Sequence, residues 1–255
     1  MELTRVTEAG QGDLSPNRSL WVVIPAAGVG ARMAADRPKQ YLPLAGCTVL
    51  EHSLRCFSHR PRVSGIVLAV ALEDAYWADL ELHTEVPLHC VAGGEERAQS
   101  VLNALQFLHA LMQAEPPESQ DPWVLVHDAA RPCVRAEDID KLLSDLNDDP
   151  VGGLLAIPVR DTMKRADADG RVACTEPRAG LWHALTPQMF RLGCLKGSLE
   201  DALAQGQQVT DESSALELAG FTPRLIEGHA DNIKITRPED LALAEFFLQQ
   251  RGVTT

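Results

Sequence analysis

The 255-residue sequence lacks long hydrophobic runs and an excess of positive charge. No apolar segment approaches the length of about 20 residues that a membrane-spanning helix needs. The N-terminus, "MELTRVTEAGQGDLSPNRS", is polar and lacks the apolar core of a signal peptide, so we expect residues 1–18 to form a disordered tail. The formal net charge of -13 argues against general binding to nucleic acid or anionic membranes, which depends on broad positive surface. A phosphate site must therefore be a local cluster of Lys and Arg.

Cysteine and histidine are present without the spacings that bind metals. The six cysteines include no CxxC pair, which fits reduced thiols in the cytosol better than a disulfide framework or a zinc site. The eight histidines show no metal-ligand spacing either, so we expect structural hydrogen bonds from His127 and His183 rather than catalysis. These patterns predict a cytoplasmic protein.

The chain instead contains short apolar segments that alternate with amphipathic helices, a pattern that predicts a mostly parallel sheet with helices on both faces. At 45% apolar composition it can bury a full core, most simply as one domain over residues 19–250, with a two-domain division as the alternative. We therefore predict a doubly wound α/β fold. The predicted strands are Leu20–Ile24, Gly65–Val70, Leu88–Ala92, Trp123–His127 and Gly153–Val159.

The alternation stops after Val159, where "RDTMKRADADGRVACT" predicts a β-hairpin that turns at Asp169 and Gly170. An Asp-Gly pair suits the positive φ angles of a tight hairpin turn. Because this hairpin interrupts the strand-helix pattern, we expect it to project as a β-arm at about residues 160–180.

Several residues indicate where helices begin and end. Thr48 is predicted to cap the helix in "TVLEHSLRCF", and Thr236 the helix in "TRPEDLALAEFFLQQ". Pro238 falls in the first turn of the second helix, where its missing N–H is tolerated. We interpret the acidic groups of "SDLNDD" and "TDESSALE" as a helix end and a solvated or capping cluster, not as acid-base catalysts.

A glycine-rich turn, "PAAGVGARMAADRPKQY", directly follows the first predicted strand. Gly28 and Gly30 lack a Cβ, which lets backbone N–H groups approach a phosphate closely. The pattern is not a P-loop, because it has no G-K-[ST]. Met33 replaces the third glycine of a dinucleotide fingerprint, which weakens the interpretation as an NAD site.

Two cations distinguish this turn from a general nucleotide loop. Arg32 lies within it and Lys39 follows Pro38, so one loop can present both to a polyphosphate. Fixed positive charges stabilise charge on a transferring phosphoryl group and on departing pyrophosphate. From local chemistry alone, a glycine turn with two solvated cations is an equally good interpretation.

Further motifs occur in order along the chain: "VLVHDAARP", "PVRDTMKR", "GLWHALTPQ", "TDESSALE" and "DNIKITRPEDLALAE". With the glycine-rich turn, they resemble the 2-C-methyl-D-erythritol 4-phosphate cytidylyltransferase family of sugar-phosphate nucleotidyltransferases. The resemblance extends from about Leu20 to Leu248. Several separated motifs in the right order are more specific than one glycine loop.

The resemblance implies a doubly wound α/β domain with a protruding β-arm, and a homodimer in which the arm of one subunit completes the active site of the other. It implies that CTP and 2-C-methyl-D-erythritol 4-phosphate react with Mg²⁺ to give 4-diphosphocytidyl-2-C-methyl-D-erythritol and pyrophosphate, in the non-mevalonate isoprenoid pathway. Mg²⁺ is expected to be held mainly by the CTP phosphates, with Asp128 as the candidate protein ligand.

The resemblance also implies roles for individual residues. The implied catalytic residues are Arg32, Lys39, Arg178 and Lys234. The implied nucleotide-binding residues are Ala26, Ala27, Gly28, Gly94, Glu95, Ser100 and Asp128. The implied substrate-binding residues are Asp128, Arg131, Thr162, Arg178, Thr186 and Lys234. Glu95 and Ala31 stand where relatives can carry Asp and Arg.

Two alternatives to this function remain open. A ribitol-5-phosphate cytidylyltransferase would keep the fold and CTP but use a polyol phosphate that differs by little more than chain length and a methyl group. The segments "RDTMKR" and "TEPRAG" favour the methylerythritol substrate. A regulatory protein that binds nucleotide without catalysis is a different class, and the presence of both Arg32 and Lys39 argues against it.

Overall fold

The structure is a computed structural model that describes residues 20–28, 37–77, 80 and 84–253. The predicted tail over residues 1–18 and part of the glycine-rich turn lie outside the described residues, including Gly30, Ala31, Arg32 and Met33. Among the residues described, no helix combines the length and apolar character needed to cross a membrane.

The described chain forms eleven strands, six α-helices and two short 3-10 helices at Lys39–Tyr41 and Pro117–Ser119. The strands are β1 Leu20–Pro25, β2 Pro43–Leu44, β3 Cys47–Thr48, β4 Val63–Val70, β5 Leu88–Ala92, β6 Trp123–Val126, β7 Gly152–Pro158, β8 Met163–Ala166, β9 Val172–Glu176, β10 Trp182–Arg191 and β11 Arg224–Glu227. The helices are α1 Val49–Ser58, α2 Arg97–Met112, α3 Ala136–Leu146, α4 Leu192–Ala204, α5 Glu212–Leu218 and α6 Pro238–Gln250.

A seven-stranded sheet runs in the order β11-β7-β10-β6-β1-β4-β5. β10 pairs antiparallel with β6 and β7, while the other described pairings in this sheet are parallel. The prediction of a mostly parallel α/β sheet is therefore confirmed. The predicted strands correspond to β1, β4, β5, β6 and β7, with small shifts in their bounds, whereas β10 and β11 were not predicted.

Side chains of β1 alternate between two apolar cores, one on each face of the sheet. Val22 and Ile24 pack with α1 and α3, whereas Trp21 and Val23 pack with α2, α4 and α5. Successive side chains of a strand point to opposite faces, so a strand buried on both faces needs helices on both faces. β1, which lies between β6 and β4, therefore holds the start of the glycine-rich turn in the interior of the sheet.

The carboxyl ends of β1, β4, β5 and β6 meet at one edge of the sheet, because these strands are parallel. Just beyond the strand ends, Ala26 N–H donates to Ala69 O and Gly93 N–H donates to Val70 O, both at 2.7 Å. The strand order reverses at β1, because β4 and β5 lie on one side of it and β6 lies on the other. The crevice at such a point is the usual ligand site of a doubly wound fold. The segments after β1, β5 and β6 therefore form the candidate site.

The predicted hairpin is present as β8 and β9, which pair antiparallel and are largely exposed. The predicted turn geometry is wrong, because Gly170 has a positive φ of 76° but Asp169 does not. Asp167 closes a longer loop: its N–H donates to Arg171 O at 2.9 Å, and its carboxylate accepts from the N–H groups of Asp169 and Arg171 at 3.0 and 2.8 Å. Asp167 therefore sets the turn, with Gly170 in the left-handed position.

One predicted helix cap is confirmed and the other is wrong. Thr48 caps α1, since its Oγ1 accepts from Glu51 N–H at 3.2 Å. In α6, Pro238 lies in the first turn as predicted, but Arg237 rather than Thr236 occupies the N-cap position. The carboxylate of Asp240 accepts from the N–H groups of Thr236 and Arg237 at 2.8 and 2.9 Å. The carboxylate of Asp240 therefore binds the N–H groups of the two residues that precede the helix, and its negative charge lies in the first turn, where the helix dipole favours it.

Candidate active site

A cavity of about 390 Å³ opens at the carboxyl edge of the sheet. It is lined by residues 25–28 at the end of β1, residues 94–97 after β5 and residues 128–130 after β6, together with Lys39, Gln40, Ser100 and Lys234. Of the residues with implied roles, the cavity brings together Ala26, Ala27, Gly28, Lys39, Gly94, Glu95, Ser100, Asp128 and Lys234.

Gln40 holds the described part of the glycine-rich turn. Its buried side chain donates from Nε2 to Ala26 O at 2.6 Å and to Gly28 O at 3.1 Å. The neighbouring Lys39 Nζ donates to Ile235 O at 3.0 Å, so the turn is also joined to the loop before α6. Gln40 lies within the motif "PKQY" but was not among the predicted site residues.

The loop after β5 needs glycine for close packing. A Cβ on Gly93 would lie 2.3 Å from the Cβ of Ala27, and a Cβ on Gly94 would lie 2.2 Å from Cγ of Gln99. Ser100 Oγ accepts from Gly94 N–H at 3.0 Å and so fixes the loop to the first turn of α2. The two glycine loops therefore pack directly against each other, and Gly93, which the sequence analysis missed, lies at their contact.

Asp128 lines the cavity and is surrounded by three cations. Its Oδ1 accepts from Arg97 Nε at 2.9 Å, while its Oδ2 lies 2.9 Å from Lys234 Nζ and 3.4 Å from Arg131 Nε. Burial alone would raise the pKa of Asp128, but the charges of Arg97, Lys234 and Arg131 outweigh burial and hold the pKa well below its usual range. The carboxylate is therefore ionised at neutral pH and poorly suited to act as a general base.

Glu212 departs from the interpretation of its motif. Asp211 does cap α5, because its carboxylate accepts from Ser214 N–H at 2.9 Å. Glu212, however, is 1% exposed and forms a two-point ion pair with Arg97, at 2.6 Å to Nη1 and 3.0 Å to Nη2. The interpretation as a solvated or capping group is wrong for Glu212, because its side chain is buried and paired with Arg97. The local sequence pattern could not indicate this pair, since the two residues are 115 positions apart.

The Thr186 hydroxyl group links the backbone of Asp128 to the buried ring of His127. Thr186 Oγ1 accepts from Asp128 N–H at 3.0 Å and lies 3.1 Å from His127 Nδ1. Burial lowers the pKa of His127 to about 4, so the ring is neutral at pH 7. Since Nε2 lies 3.0 Å from the carbonyl oxygen of Arg131, Nε2 carries the proton and Nδ1 accepts from the Thr186 hydroxyl. The structural hydrogen bonds predicted for His127 are therefore present.

Arg131 lies next to the cavity, whereas Thr162 and Arg178 lie on the arm. Arg131 is buried and donates from Nη1 to Asn232 O at 2.7 Å, next to the cavity. Thr162 and Arg178 lie at the base of the arm, exposed and apart from the described residues that line the cavity. Arg178 donates from Nη1 to the carbonyl oxygen of Arg160. Within the described chain, these two residues are therefore not brought to Asp128.

The described residues do not fit a divalent cation bound by protein groups alone. They contain no group of three or more His, Cys, Asp or Glu side chains arranged to hold a metal ion. Both oxygens of Asp128 already contact cationic donors, which would repel Mg²⁺ and compete with it. Asp128 is therefore not supported as a direct metal ligand.

The chain is similar to proteins of known family. Residues 20–250 match the family model IspD, described as 2-C-methyl-D-erythritol 4-phosphate cytidylyltransferase. A protein of that name from Pseudomonas putida is 60% identical over 223 residues, which cover 88% of this chain and 93% of the relative. A second, from Pseudomonas syringae pv. tomato, is 58% identical over 234 residues, which cover 92% of this chain and 96% of the relative.

Solved structures agree with this similarity. The crystal structure of a 4-diphosphocytidyl-2C-methyl-D-erythritol synthase has a TM-score of 0.78 at 36% identity and covers 92% of this chain and 100% of that one. The 2-C-methyl-D-erythritol 4-phosphate cytidylyltransferase of Francisella tularensis has a TM-score of 0.74 at 36% identity and covers 90% and 100%. Together with the cavity and its ordered motifs, these similarities show that the chain belongs to the 2-C-methyl-D-erythritol 4-phosphate cytidylyltransferase family.

Proposed function

We propose that this chain transfers a cytidylyl group from CTP to 2-C-methyl-D-erythritol 4-phosphate, giving 4-diphosphocytidyl-2-C-methyl-D-erythritol and pyrophosphate in the non-mevalonate isoprenoid pathway. The observation that carries the proposal is the cavity, where two glycine loops meet Lys39 and the ion-paired group of Asp128 and Lys234. Backbone N–H groups and Lys side chains are the usual partners of nucleotide phosphates.

The proposed reaction needs positive charge more than it needs a base. The nucleophile is a phosphate monoester, whose second pKa is roughly 6, so much of it is already a dianion near neutral pH. An oxygen of that phosphate bonds to the α-phosphorus of CTP, while the bond from the α-phosphorus to the β-phosphate oxygen breaks and pyrophosphate leaves with the electron pair. Catalysis then consists of alignment and of stabilising negative charge. The ionised Asp128, paired with cations, agrees with a site that uses no general base.

The residues are proposed to divide between the two substrates. Ala26, Gly94 and Ser100 belong to the loops proposed to hold CTP, with Ala27, Gly28 and Glu95 beside them, and Lys39 and Arg32 are proposed to contact its phosphates. Arg131, Thr186 and Lys234 each contact Asp128 and are proposed to form the acceptor pocket. Thr162 and Arg178 are proposed to reach that pocket from an arm.

Mg²⁺ is the proposed cofactor, carried by the phosphates of CTP and not by a protein cluster. When bound, it would neutralise part of the triphosphate charge. A cytoplasmic location is also proposed, and the six free cysteines support it, because thiols persist in a reducing compartment.

The test is release of pyrophosphate by purified protein with CTP and Mg²⁺, comparing 2-C-methyl-D-erythritol 4-phosphate with ribitol 5-phosphate at equal concentrations. We expect strong preference for the methylerythritol substrate. Preference for ribitol 5-phosphate would keep the transfer chemistry but change the acceptor. CTP binding without pyrophosphate release for either acceptor would favour the regulatory alternative.

We propose that the protein is a homodimer in which the arm of one subunit completes the site of its partner. The exposed position of Arg178, apart from the described cavity of its own subunit, supports this arrangement. Mixing inactive Arg178→Ala subunits with inactive Lys39→Ala subunits should restore activity, because each hybrid dimer contains one intact site. Random exchange gives half hybrids, so we expect about a quarter of wild-type activity per subunit. Demonstrated hybrids without activity would show that the sites are not shared.

Gly93→Ala should weaken CTP binding. The new Cβ would overlap Ala27 and push the two glycine loops apart, and we expect the KM for CTP to rise on the order of tenfold. Gly197→Ala in α4 is the matched control, because its Cβ has no described atom within 4 Å. Steady-state kinetics check the prediction, and an unchanged KM in Gly93→Ala would show that this loop contact does not shape the nucleotide site.

A further inference from the structure

Arg97 joins two buried carboxylates at the start of α2. Its two terminal nitrogens bind Glu212, and its Nε binds Oδ1 of Asp128 at 2.9 Å. The Arg97 side chain is 27% exposed and lines the cavity, whereas the side chains of Asp128 and Glu212 are 8% and 1% exposed. The planar guanidinium group can make all three contacts at once only in one orientation.

This orientation decides which oxygen of Asp128 meets the other cations. Because Arg97 occupies Oδ1, Oδ2 is the oxygen that contacts Lys234 at 2.9 Å and Arg131 at 3.4 Å. The backbone N–H of the same residue is fixed by Thr186 at 3.0 Å. Rotation of the Asp128 carboxylate would therefore move Oδ2 away from the ammonium group of Lys234.

Glu212 also fixes the position of the positive charge of Arg97. Burial would lower the pKa of Arg97, but the carboxylates of Glu212 and Asp128 outweigh burial and raise it. With both carboxylates paired to it, the guanidinium group is held on the cavity wall. Without the charge of Glu212, Asp128 would be the only carboxylate left to orient the guanidinium group.

We propose that Arg97 and Glu212 are positioning residues for the proposed transfer, acting through Asp128 to hold the Lys234 ammonium where it meets the acceptor phosphate. Neither is assigned a bond to a reacting atom. The inference rests on the proposed function, since it concerns the alignment of the acceptor. A displacement of about 1 Å at a reacting group can lower a rate on the order of a hundredfold, so a fixed ammonium is a physical advantage.

The first test uses Glu212→Gln, which keeps the shape of the side chain and removes its charge. We expect kcat to fall on the order of tenfold or more, while the equilibrium Kd for CTP without acceptor changes less than about threefold. Glu200→Gln is the matched control, because Glu200 pairs with Lys196 at 2.9 Å on the surface of α4. The control should keep wild-type kinetics.

A double-mutant cycle separates positioning from general weakening of the fold. If Glu212 acts through Lys234, Glu212→Gln should lower kcat by less than about twofold in a Lys234→Ala background, although it lowers kcat at least tenfold in wild type. Equal losses in both backgrounds would overturn the proposal. An increase in the Kd for CTP that matches the loss of kcat would also overturn it.

Arg97→Lys keeps the proposal testable if Glu212→Gln fails to fold. Lysine keeps the charge but cannot bind both carboxylates with a planar fork, so we expect it to lower kcat on the order of tenfold or more. Wild-type kcat in a folded Arg97→Lys protein would overturn the proposal and leave the proposed function intact. Absence of transfer by the wild-type protein would overturn both.

Discussion

Lys39→Ala should lower kcat on the order of a hundredfold or more, with a smaller change in the KM for CTP. Lys39 lies near the end of the glycine-rich turn and lines the cavity, where a cation can stabilise charge that develops as pyrophosphate leaves. A positive charge that strengthens its contact in the transition state raises kcat, whereas one that binds equally throughout would change mainly KM. Pyrophosphate release at saturating acceptor checks the prediction.

Lys141→Ala is the matched control for this variant. Lys141 is an exposed lysine that donates to Glu227 O at 2.8 Å, as Lys39 donates to Ile235 O at 3.0 Å. Both variants lose a contact between a lysine and a backbone carbonyl group, but Lys141 lies on α3, away from the described cavity. A near-normal kcat in Lys39→Ala would refute its catalytic role. Similar losses in both variants would attribute the effect to stability.

Features that depend on local chemistry could be predicted from the sequence. β1 could be predicted because its residues form an apolar run, and the cap at Thr48 because Glu51 stands three residues later. The hairpin could be predicted because Gly170 favours a turn, but its geometry could not, since the side chain of Asp167 selects a longer loop. Local signals thus predict an element more reliably than its detailed conformation.

Features that depend on distant partners could not be predicted in the same way. β10 joins the sheet between β6 and β7, and its antiparallel direction follows from the return of the chain after the arm. Glu212 lies beside the capping residue Asp211, so its local pattern predicts a helix start and gives no sign of Arg97. The implied roles at the cavity came from ordered motifs, whereas the ion-pair network behind them required the three-dimensional arrangement.

Asp128→Asn should lower the free energy of unfolding by about 3–5 kcal/mol at pH 7, the usual cost of removing one partner from a buried ion pair. The substitution keeps the shape but removes the charge shared by Arg97, Arg131 and Lys234. It also replaces one acceptor oxygen with an NH₂ group that would face a cationic donor. Chemical denaturation at pH 7 measures the loss, and transfer activity should fall with it because Lys234 loses its partner.

Acidification should reduce the difference between wild type and Asp128→Asn. The pKa of Asp128 in the folded state is held below the value of about 3.9 in the unfolded state. The ionised carboxylate therefore stabilises the fold fully above the unfolded-state pKa, and this stabilisation is lost as the pH falls toward the folded-state pKa. Asparagine does not titrate, so the free energy of unfolding of the Asp128→Asn variant lacks this contribution at every pH. The free-energy difference should therefore be largest at pH 7 and smaller near pH 3.5, where the unfolded wild type is increasingly protonated.

Asp140→Asn is the control for both measurements. Asp140 pairs with Arg60 but its side chain is 66% exposed, so its loss should change the free energy of unfolding by less than about 1 kcal/mol. If Asp128→Asn costs no more than this control, the three cations do not depend on the charge of Asp128. If its cost does not shrink on acidification, the loss comes from altered packing instead. A large cost that shrinks at low pH would identify the carboxylate charge as what holds the cations at the cavity.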